Sequence, residues 1–258
     1  MIGVFDSGIG GLTVVKELSK KLPQYRVIYF GDTAHLPYGT KSKKAVREFS
    51  DEAVNFLIKR GAKIILIACN TSSAQAADYL RKKYKNTLII DVINPAMEEI
   101  KKMNLKKVGV IATPGTIKSG TYQKKLKKMH KIVIPQATPL LVPFIEEGIV
   151  RGKTLNEILG AYLKPFKKNV DSLILGCTHY PLIEKSIRGN LPKEVLTINP
   201  SKIIVEHLDK LLKQDANLGK KLKQGSKYEF FVSDDPYKFE VLSQLALGEK
   251  IKAQIVRL

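Results

Sequence analysis

The chain has 258 residues, of which 44% are hydrophobic, and a formal net charge of +20 at pH 7 that comes mostly from lysine. This composition predicts a globular protein of one large or two modest domains, and it excludes low-complexity and membrane-spanning classes. The lysines are dispersed over predicted helix surfaces without an RNA-binding or helix-turn-helix signature, so the charge alone does not indicate a nucleic-acid partner. The same positive field would attract a small anionic substrate.

The predicted elements alternate between strands and helices from the start of the chain. Strands are expected at residues 2–5, 27–30, just before Cys69, and 88–93, and helices at 12–21, 43–60 and about 72–84. Residues 31–39 are rich in turn formers and are expected to form a loop. Alternation of this kind predicts parallel sheets with right-handed crossovers.

The second half repeats the plan of the first. A new unit is expected near Pro95, with a helix, a strand at 107–111, a strand-like run at 140–142 and a strand ending before Cys177. The tail is expected to add a helix at 203–213, a strand at 228–232 and a helix at 236–247. Residues 2–8 resemble residues 108–114, at nearly the offset that separates the two cysteines. The prediction is therefore an α/β fold of two pseudo-symmetric parallel-sheet domains with the site in the cleft between them: residues 1–94 plus 206–258, and residues 95–205.

Cys69 and Cys177 are the only cysteines, and each follows an aliphatic run and precedes a polar residue able to start a helix. Ligands of open α/β sheets bind at the carboxyl ends of strands, where both thiols would lie. A lone cysteine is usually a small buried hydrophobe. A disulfide is disfavoured because the chain shows no signal peptide and is expected to be cytoplasmic, and zinc because there is no Cys-x-x-Cys pair. The similar residues around the two cysteines favour a site in which the two thiols face one substrate from opposite sides. Such a site could move a proton from one face of a carbon to the other.

Polar loops follow the same strands. Asp6 to Gly11 are expected to form a turn that presents backbone N–H groups to a carboxylate, or merely to cap the first helix. The turn resembles a dinucleotide fingerprint, but Thr13 stands where that pattern needs glycine or alanine. Residues 37–39 are expected to wall a small pocket or form a tight turn, and residues 113–116 to bind an anion. Glu146 and Glu147 are weak candidates from local pattern alone.

Several motifs together resemble those of the bacterial glutamate racemases. They are Phe5-Asp6-Ser7-Gly8-Ile9-Gly10-Gly11, Tyr29-Phe30-Gly31-Asp32-Thr33, Pro37-Tyr38-Gly39, Ala68-Cys69-Asn70-Thr71-Ser72, Leu141-Val142-Pro143 with Glu146, Leu175-Gly176-Cys177-Thr178-His179-Tyr180-Pro181-Leu182, and Ser233-Asp234-Asp235-Pro236. The resemblance runs from residue 2 to near the C-terminus. Asn199 departs from it, since the family usually has aspartate there.

The resemblance implies an isomerase that interconverts L- and D-glutamate without a cofactor or metal and supplies D-glutamate for peptidoglycan. It assigns proton transfer to Cys69 and Cys177, with Asp6 assisting Cys69, His179 assisting Cys177, and Glu146 near the second side. The substrate-binding residues that it implies are Asp6, Ser7, Pro37, Tyr38, Gly39, Asn70, Thr71, Thr116, Thr178 and His179. It also implies a cytoplasmic homodimer with no membrane partner.

Three alternatives remain at this stage. The nearest is another two-cysteine racemase or isomerase that acts on aspartate, a hydantoin or maleate. The second is a hydrolase that uses Cys177 and His179 as nucleophile and base, in which Cys69 is dispensable. The third is a basic nucleic-acid-binding protein, whose binding would depend steeply on salt.

Overall fold

The computed structural model describes residues 1–168, 170–222 and 224–258. The strands are β1 (Ile2–Asp6), β2 (Val27–Gly31), β3 (Ile64–Ile67), β4 (Leu88–Asp91), β5 (Lys107–Ala112), β6 (Ile132–Ala137), β7 (Ser172–Gly176), β8 (Leu196–Ile198), β9 (Tyr228–Val232) and β10 (Gln254–Ile255). The helices are α1 (Leu12–Lys21), α2 (Lys43–Lys59), α3 (Asn70–Gln75), α4 (Ala77–Lys83), α5 (Ile93–Lys102), α6 (Pro114–Ser119), α7 (Thr121–Lys127), α8 (Leu141–Glu146), α9 (Lys153–Leu163), α10 (Glu184–Gly189), α11 (Pro200–Gln214), α12 (Ala216–Lys220) and α13 (Pro236–Leu247).

Two parallel sheets confirm the predicted fold class. The first has the strand order β10-β9-β2-β1-β3-β4, and the second has the order β6-β5-β7-β8. The inner strands β1, β3 and β7 are buried along their whole length, and for this reason their sequences are nearly continuous apolar runs. The tail returns to the first sheet, because β9 pairs with β2 and β10 with β9.

The parallel strands bring the polar loops to two facing edges. In the first sheet, Asp6 ends β1 and Cys69 follows two residues after the end of β3, the neighbouring strand. In the second sheet, Cys177 directly follows β7, which pairs with β5. The carboxyl ends of neighbouring parallel strands lie at the same edge, so each sheet delivers one thiol to the cleft.

A shared core holds the two sheets together. Val4 and Leu66 of the first sheet belong to the same buried cluster as Val110 and Ile174 of the second. Helix α11 packs against both α1 and α5 beside this cluster. Two further clusters cover the outer faces, one under α2 and the other under α9.

One predicted element is wrong. The strand-like run at 140–142 is not a strand, since α8 begins at Leu141 and extends to Glu146. Three aliphatic residues do not distinguish a strand from a buried helical turn, and Pro143 is tolerated there because it lies in the first turn of the helix. Glu146 is therefore the last residue of a helix that borders the cleft.

Other elements differ in detail. The helix expected at 72–84 is two helices, α3 and α4, interrupted at Ala76, where φ is −120°. Strand β6 contains Pro135 and lies at a sheet edge, the position at which proline removes no needed ladder hydrogen bond. The strands β6, β8 and β10 were not expected.

The predicted domain limits remain a prediction. The limit at 94 falls within α5, and the limit at 206 falls within α11, so both would cut a helix. Within the part of the chain that the structure describes, no helix is long and apolar enough to cross a membrane.

Replacing Leu66 with alanine tests the shared core. Leu66 is fully buried in the cluster that joins the two sheets, so Leu66→Ala should lower the free energy of unfolding by about 2–5 kcal/mol. Leu196→Ala is the control, because Leu196 is 48% exposed and its loss should change stability by about 0.5 kcal/mol or less. Urea denaturation measures both, and equal losses would contradict this account of the core.

Candidate active site

One cavity of about 150 Å³ lies between the two sheets and receives both thiols. Its wall comes from the loops after β1, β2, β3, β5, β6 and β7. The lining residues are Ser7, Leu36, Pro37, Tyr38, Gly39, Thr40, Cys69, Asn70, Thr71, Thr113, Pro114, Thr138, Pro139, Val142, Pro143, Cys177, Thr178 and His179. Among these lining residues there is no lysine or arginine, so an anionic ligand would meet hydroxyl, amide and backbone donors and the ring of His179.

Cys69 lies at the start of α3 and is only 4% exposed. Its Sγ lies 3.5 Å from the Ser7 Oγ and accepts a hydrogen bond from the Ser72 N–H at 3.4 Å. Burial and the neighbouring carboxylate of Asp6 raise the pKa of Cys69 to about 11, against the opposing effect of these hydrogen bonds. Cys69 is therefore a protonated thiol near neutral pH, ready to donate a proton.

Cys177 has a different neighbour. Its Sγ lies 3.7 Å from the Nδ1 of His179, and the other ring nitrogen of His179 lies 3.1 Å from the Glu146 Oε1. Burial alone would lower the pKa of His179, but the contacts with Cys177 and Glu146 raise it to about 10. Burial likewise acts to raise the pKa of Glu146, but its bond to His179 outweighs this effect and lowers it. The geometry is that of an imidazolium held by a carboxylate beside a sulfur, which stabilises a thiolate.

Asp6 lies behind the cavity wall and is fully buried. It accepts a hydrogen bond from the Gly8 N–H at 3.1 Å and one from the Thr178 hydroxyl at 3.2 Å. Burial raises the pKa of Asp6, although the charge of His179 and the hydrogen bonds from Gly8, Gly11 and Thr178 oppose the rise. Asp6 is thus hydrogen-bonded to its own loop after β1 and to the Cys177 loop, while its charge acts on Cys69.

Gly10 lets the two loops approach each other. A Cβ added to Gly10 would lie 2.4 Å from the Thr178 Oγ1 and 2.5 Å from the His179 Nδ1, distances that a side chain cannot occupy. The glycines of this turn therefore serve a close approach between the sheets, rather than the phosphate cradle of a dinucleotide fold.

Three threonine hydroxyls join the sheets on the other side of the cavity. The Oγ1 of Thr71 lies 3.0 Å from that of Thr113 and 3.1 Å from that of Thr116. Thr116 is fully buried and lies behind Thr71 and Thr113, which line the cavity. Next to this group, the Tyr122 hydroxyl donates to the Asn70 Oδ1 at 2.7 Å. This bond leaves the amide N–H₂ of Asn70 available to a ligand.

The loop that carries Pro37, Tyr38 and Gly39 is anchored through Asp32. The Tyr38 hydroxyl donates to the Asp32 Oδ2 at 2.5 Å, and the Ser233 hydroxyl donates to the Oδ1 at 2.7 Å. Burial and Asp32 raise the pKa of Tyr38, so its hydroxyl stays protonated. Ser233 follows β9, so the tail of the chain helps to hold the wall of the cavity.

The structure therefore brings the residues expected at the site together in two layers. Those on the wall are Ser7, Pro37, Tyr38, Gly39, Cys69, Asn70, Thr71, Cys177, Thr178 and His179. Asp6, Thr116 and Glu146 lie behind the wall, each hydrogen-bonded to a residue that lines it.

Sequence reasoning missed six residues of the cavity wall. The additional lining residues are Leu36, Thr40, Thr138, Pro139, Val142 and Pro143. The last four lie within or directly beside the run at 140–142 that was misread as a strand, so no sequence signal indicated that this segment faces the cavity. In the sequence Asp32 belongs to a motif, and its place directly after a strand pattern is the signal that identifies it as an anchoring carboxylate.

Two parallel sheets that contribute one thiol each to a shared cavity define an α/β protein whose candidate site lies between the two sheets. The model of the Asp/Glu/Hydantoin racemase family matches residues 11–208. The glutamate racemase of Aquifex aeolicus is 40% identical over 255 residues, which are 98% of this chain and 96% of that protein. The chain therefore belongs to the Asp/Glu/Hydantoin racemase family and, within it, to the glutamate racemases, which makes it an isomerase.

Solved structures agree with this family. The glutamate racemase of Francisella tularensis, solved in complex with D-glutamate, is 41% identical with a TM-score of 0.90, and the match covers 99% of this chain and 96% of that one. An aspartate racemase from Picrophilus torridus is only 19% identical, with a TM-score of 0.58 over 87% of this chain and 95% of that one, so it shares the fold alone.

Glu146→Gln tests the support of the imidazolium. The pKa of His179 is about 10 in the folded chain against an ordinary value of 6.5. Its protonation therefore stabilises the fold fully below about pH 6.5, and this contribution is lost as the pH rises towards about 10. Glu146→Gln removes the negative charge and should lower the pKa of His179. The stability that protonated His179 contributes should therefore disappear at a lower pH in the variant than in the wild type.

Histidine NMR and thermal unfolding at several pH values measure this shift. Glu147→Gln is the control, because Glu147 pairs with Lys238 and its side chain is 70% exposed. An unchanged His179 midpoint in Glu146→Gln would show that the ion pair does not set its protonation.

Proposed function

We propose that this chain interconverts L-glutamate and D-glutamate by two-base proton transfer at Cα, with Cys69 and Cys177 as the two bases. The observation that carries the proposal is that one buried cavity receives one thiol from each of two parallel sheets. The 40–41% identity to glutamate racemases from Aquifex aeolicus and Francisella tularensis supports glutamate as the substrate.

Racemisation requires an acid and a base on opposite faces of the same carbon. One thiolate removes the Cα proton, the carbon becomes planar, and the opposite thiol delivers a proton to the other face. The product is the other enantiomer, and the cysteines have exchanged protonation states. The reverse reaction uses the same two groups with their roles exchanged, so no cofactor is needed for the proton balance.

The two thiols have unlike electrostatic neighbours. Cys69 beside Asp6 is held as a thiol, while Cys177 faces the imidazolium of His179. In the free enzyme we therefore expect Cys177 to act as the base and Cys69 as the acid. The free enzyme can then directly deprotonate the enantiomer whose Cα–H faces Cys177. For the other enantiomer a proton must first move from Cys69, and Asp6, next to this thiol, is the group that helps it leave.

The substrate carboxylates would bind to neutral donors. Ser7, Asn70, Thr71 and Thr178 line the cavity with hydroxyl and amide groups, and Pro37, Tyr38 and Gly39 wall one side. Thr116 assists from behind by orienting Thr71. Expulsion of water when the substrate binds would strengthen each of these interactions.

Further expectations belong to this proposal. The resulting D-glutamate would supply peptidoglycan synthesis in the cytoplasm, and the enzyme would form a homodimer. The two domains would be residues 1–94 plus 206–258 and residues 95–205, which meet at the cavity.

The Cys-His hydrolase has one observation in its favour, the contact between Cys177 and His179. Buried Cys69 on the same cavity argues against it, since a hydrolase would not need a second thiol there. Mass spectrometry of the enzyme during turnover separates the two, because a hydrolase accumulates an acyl-enzyme on Cys177 and a racemase does not.

Racemisation in D2O tests the two bases. Purified wild-type enzyme without added cofactor should racemise L-glutamate, followed by circular dichroism, and place deuterium at Cα. Cys69→Ser and Cys177→Ser should each lower racemisation by at least about 10²-fold, because positioned acid–base catalysis typically contributes 10² to 10⁴. Each variant should still exchange the Cα–H of one enantiomer, and the two variants should select opposite enantiomers.

Ser172→Ala is the matched control. Ser172 lies on β7, the strand that leads to Cys177, and is buried, so the change removes a small polar group without touching the cavity. Its racemisation rate should stay near that of the wild type. A cysteine variant with near-normal turnover in both directions would exclude the two-base mechanism.

Asp6→Asn tests the electrostatic partner of Cys69. The carboxylate of Asp6 raises the pKa of Cys69, so its removal should make the thiol more acidic while it slows racemisation. The pH dependence of Cys69 alkylation by iodoacetamide, followed by mass spectrometry, reports the first effect, and circular dichroism reports the second. Asp78→Asn removes an equal charge from a side chain that is 90% exposed and should change neither. A Cys69 midpoint that rises or stays constant in Asp6→Asn would contradict this role of Asp6.

A further inference from the structure

We propose that Thr13 is a positioning residue that holds the Cys177–His179 loop in its reactive geometry. Thr13 is the second residue of α1, is 5% exposed and lies outside the cavity lining. Its Oγ1 lies 3.1 Å from the carbonyl oxygen of Thr178 and 3.0 Å from the Oγ of Ser201. One hydroxyl thus touches segments that are 165 and 188 residues away along the chain. The inference rests on the proposed function, because it assigns Thr13 to the same reaction.

A hydrogen bond within its own turn does not account for all the contacts of the Thr13 hydroxyl. Threonine in a first helical turn often bonds back to a nearby carbonyl, and the Thr13 Oγ1 lies 2.8 Å from the Gly10 oxygen. However, one hydroxyl proton is shared between the Gly10 and Thr178 oxygens, and the Gly10 oxygen keeps a partner without it because it also accepts the Thr13 N–H at 3.0 Å. For the Thr178 carbonyl, Thr13 is the single hydrogen-bond donor found among the described residues. The removal of this hydroxyl would leave a buried carbonyl without a partner, which a structure normally avoids.

Thr178 lies in the chain between the Cys177 thiol and the His179 imidazole, the two groups proposed to act on this side of the cavity. The Cys177 Sγ lies 3.7 Å from His179. Thr13 holds the Thr178 backbone, while Asp6 accepts from the Thr178 side chain at 3.2 Å. Two anchors on one residue fix both the peptide plane and the side-chain direction, so the Sγ–imidazole contact depends on both.

Ser201 connects this anchor to the start of α11. The Asn199 Oδ1 accepts the Ser201 N–H at 3.0 Å and thereby caps the helix. Asparagine and aspartate both present an oxygen acceptor to such an N–H, so Asn199 keeps the capping function at a position where the resemblance leads one to expect aspartate. The series Asn199, Ser201, Thr13 and Thr178 therefore runs from α11 through α1 to the catalytic loop.

Thr13→Val and Thr13→Ser separate positioning from packing. Valine keeps the branched shape but loses the hydroxyl, while serine keeps the hydroxyl and loses a methyl group. Since small misplacements of reacting groups reduce rates steeply, Thr13→Val should lower kcat by about 10 to 100-fold. KM should change little, because Thr13 does not line the cavity. Thr13→Ser should recover most of kcat.

The histidine NMR titration supplies a readout that a purely structural role would not change. The groups that face His179 are Cys177, Glu146 and Asp6. If Thr13→Val loosens the contact with Cys177, the midpoint of His179 should fall, while those of His35 and His207 stay constant. The primary isotope effect should also change more for the enantiomer deprotonated by Cys177 than for the other.

An unchanged kcat and His179 midpoint in Thr13→Val would overturn the proposal, and so would a loss that Thr13→Ser does not recover. If Thr13→Val does not fold, Ser201→Ala removes the neighbouring hydroxyl, and the His179 midpoint should fall by a smaller amount; no change would again overturn the proposal. A wild-type enzyme that fails to racemise glutamate would instead overturn the proposed function. The His179 midpoints would still decide whether Thr13 positions the loop, since they need no substrate.

Discussion

The close approach of two loops, residues 7–11 after β1 and residues 177–179 after β7, is the constraint on which the site depends. Gly10 has no side chain and lies against Thr178 and His179, and Asp6 accepts a hydrogen bond from Thr178. Without this approach the two sheets would each present a thiol at a strand end, but to separate surfaces. The shared core of Val4, Leu66 and residues of the second sheet holds the sheets in the orientation that makes the approach possible.

Charge is distributed unequally across the cavity although the two halves have similar topology. A buried carboxylate accompanies Cys69, while an imidazolium held by Glu146 accompanies Cys177. A carboxylate disfavours a thiolate and an imidazolium favours it. The pseudo-symmetric backbone therefore gives the two thiols unlike electrostatic neighbours, as the proposed acid–base pair requires.

None of the lysines and arginines that give the net charge of +20 is among the described lining residues of the cavity, where His179 is the cationic side chain. Lysine beside the thiols would stabilise both thiolates and remove the proton that one of them must deliver. Threonine, serine and asparagine donors bind a carboxylate without this effect. The surface charge can still raise the local concentration of an anionic substrate by long-range attraction.

The sequence by itself determined the fold class, the family resemblance and the place of each cysteine at a strand end, because long aliphatic runs and strand–helix alternation are local signals. It did not determine that residues 141–146 form a helix, since three aliphatic residues and a proline fit either state until the neighbouring packing selects one. The edge strand β6 was missed for a related reason: Pro135 is acceptable only at an edge, and an edge is a property of the finished sheet. Only the tertiary structure decided that Asp6, Thr116 and Glu146 stand behind the cavity wall and that Thr13 reaches Thr178 and Ser201. The contacts of Asp6 and Thr13 join residues more than 160 positions apart, and those of Thr116 and Glu146 join residues 45 and 33 positions apart. Their geometry depends on how the elements pack rather than on the pattern of any one segment.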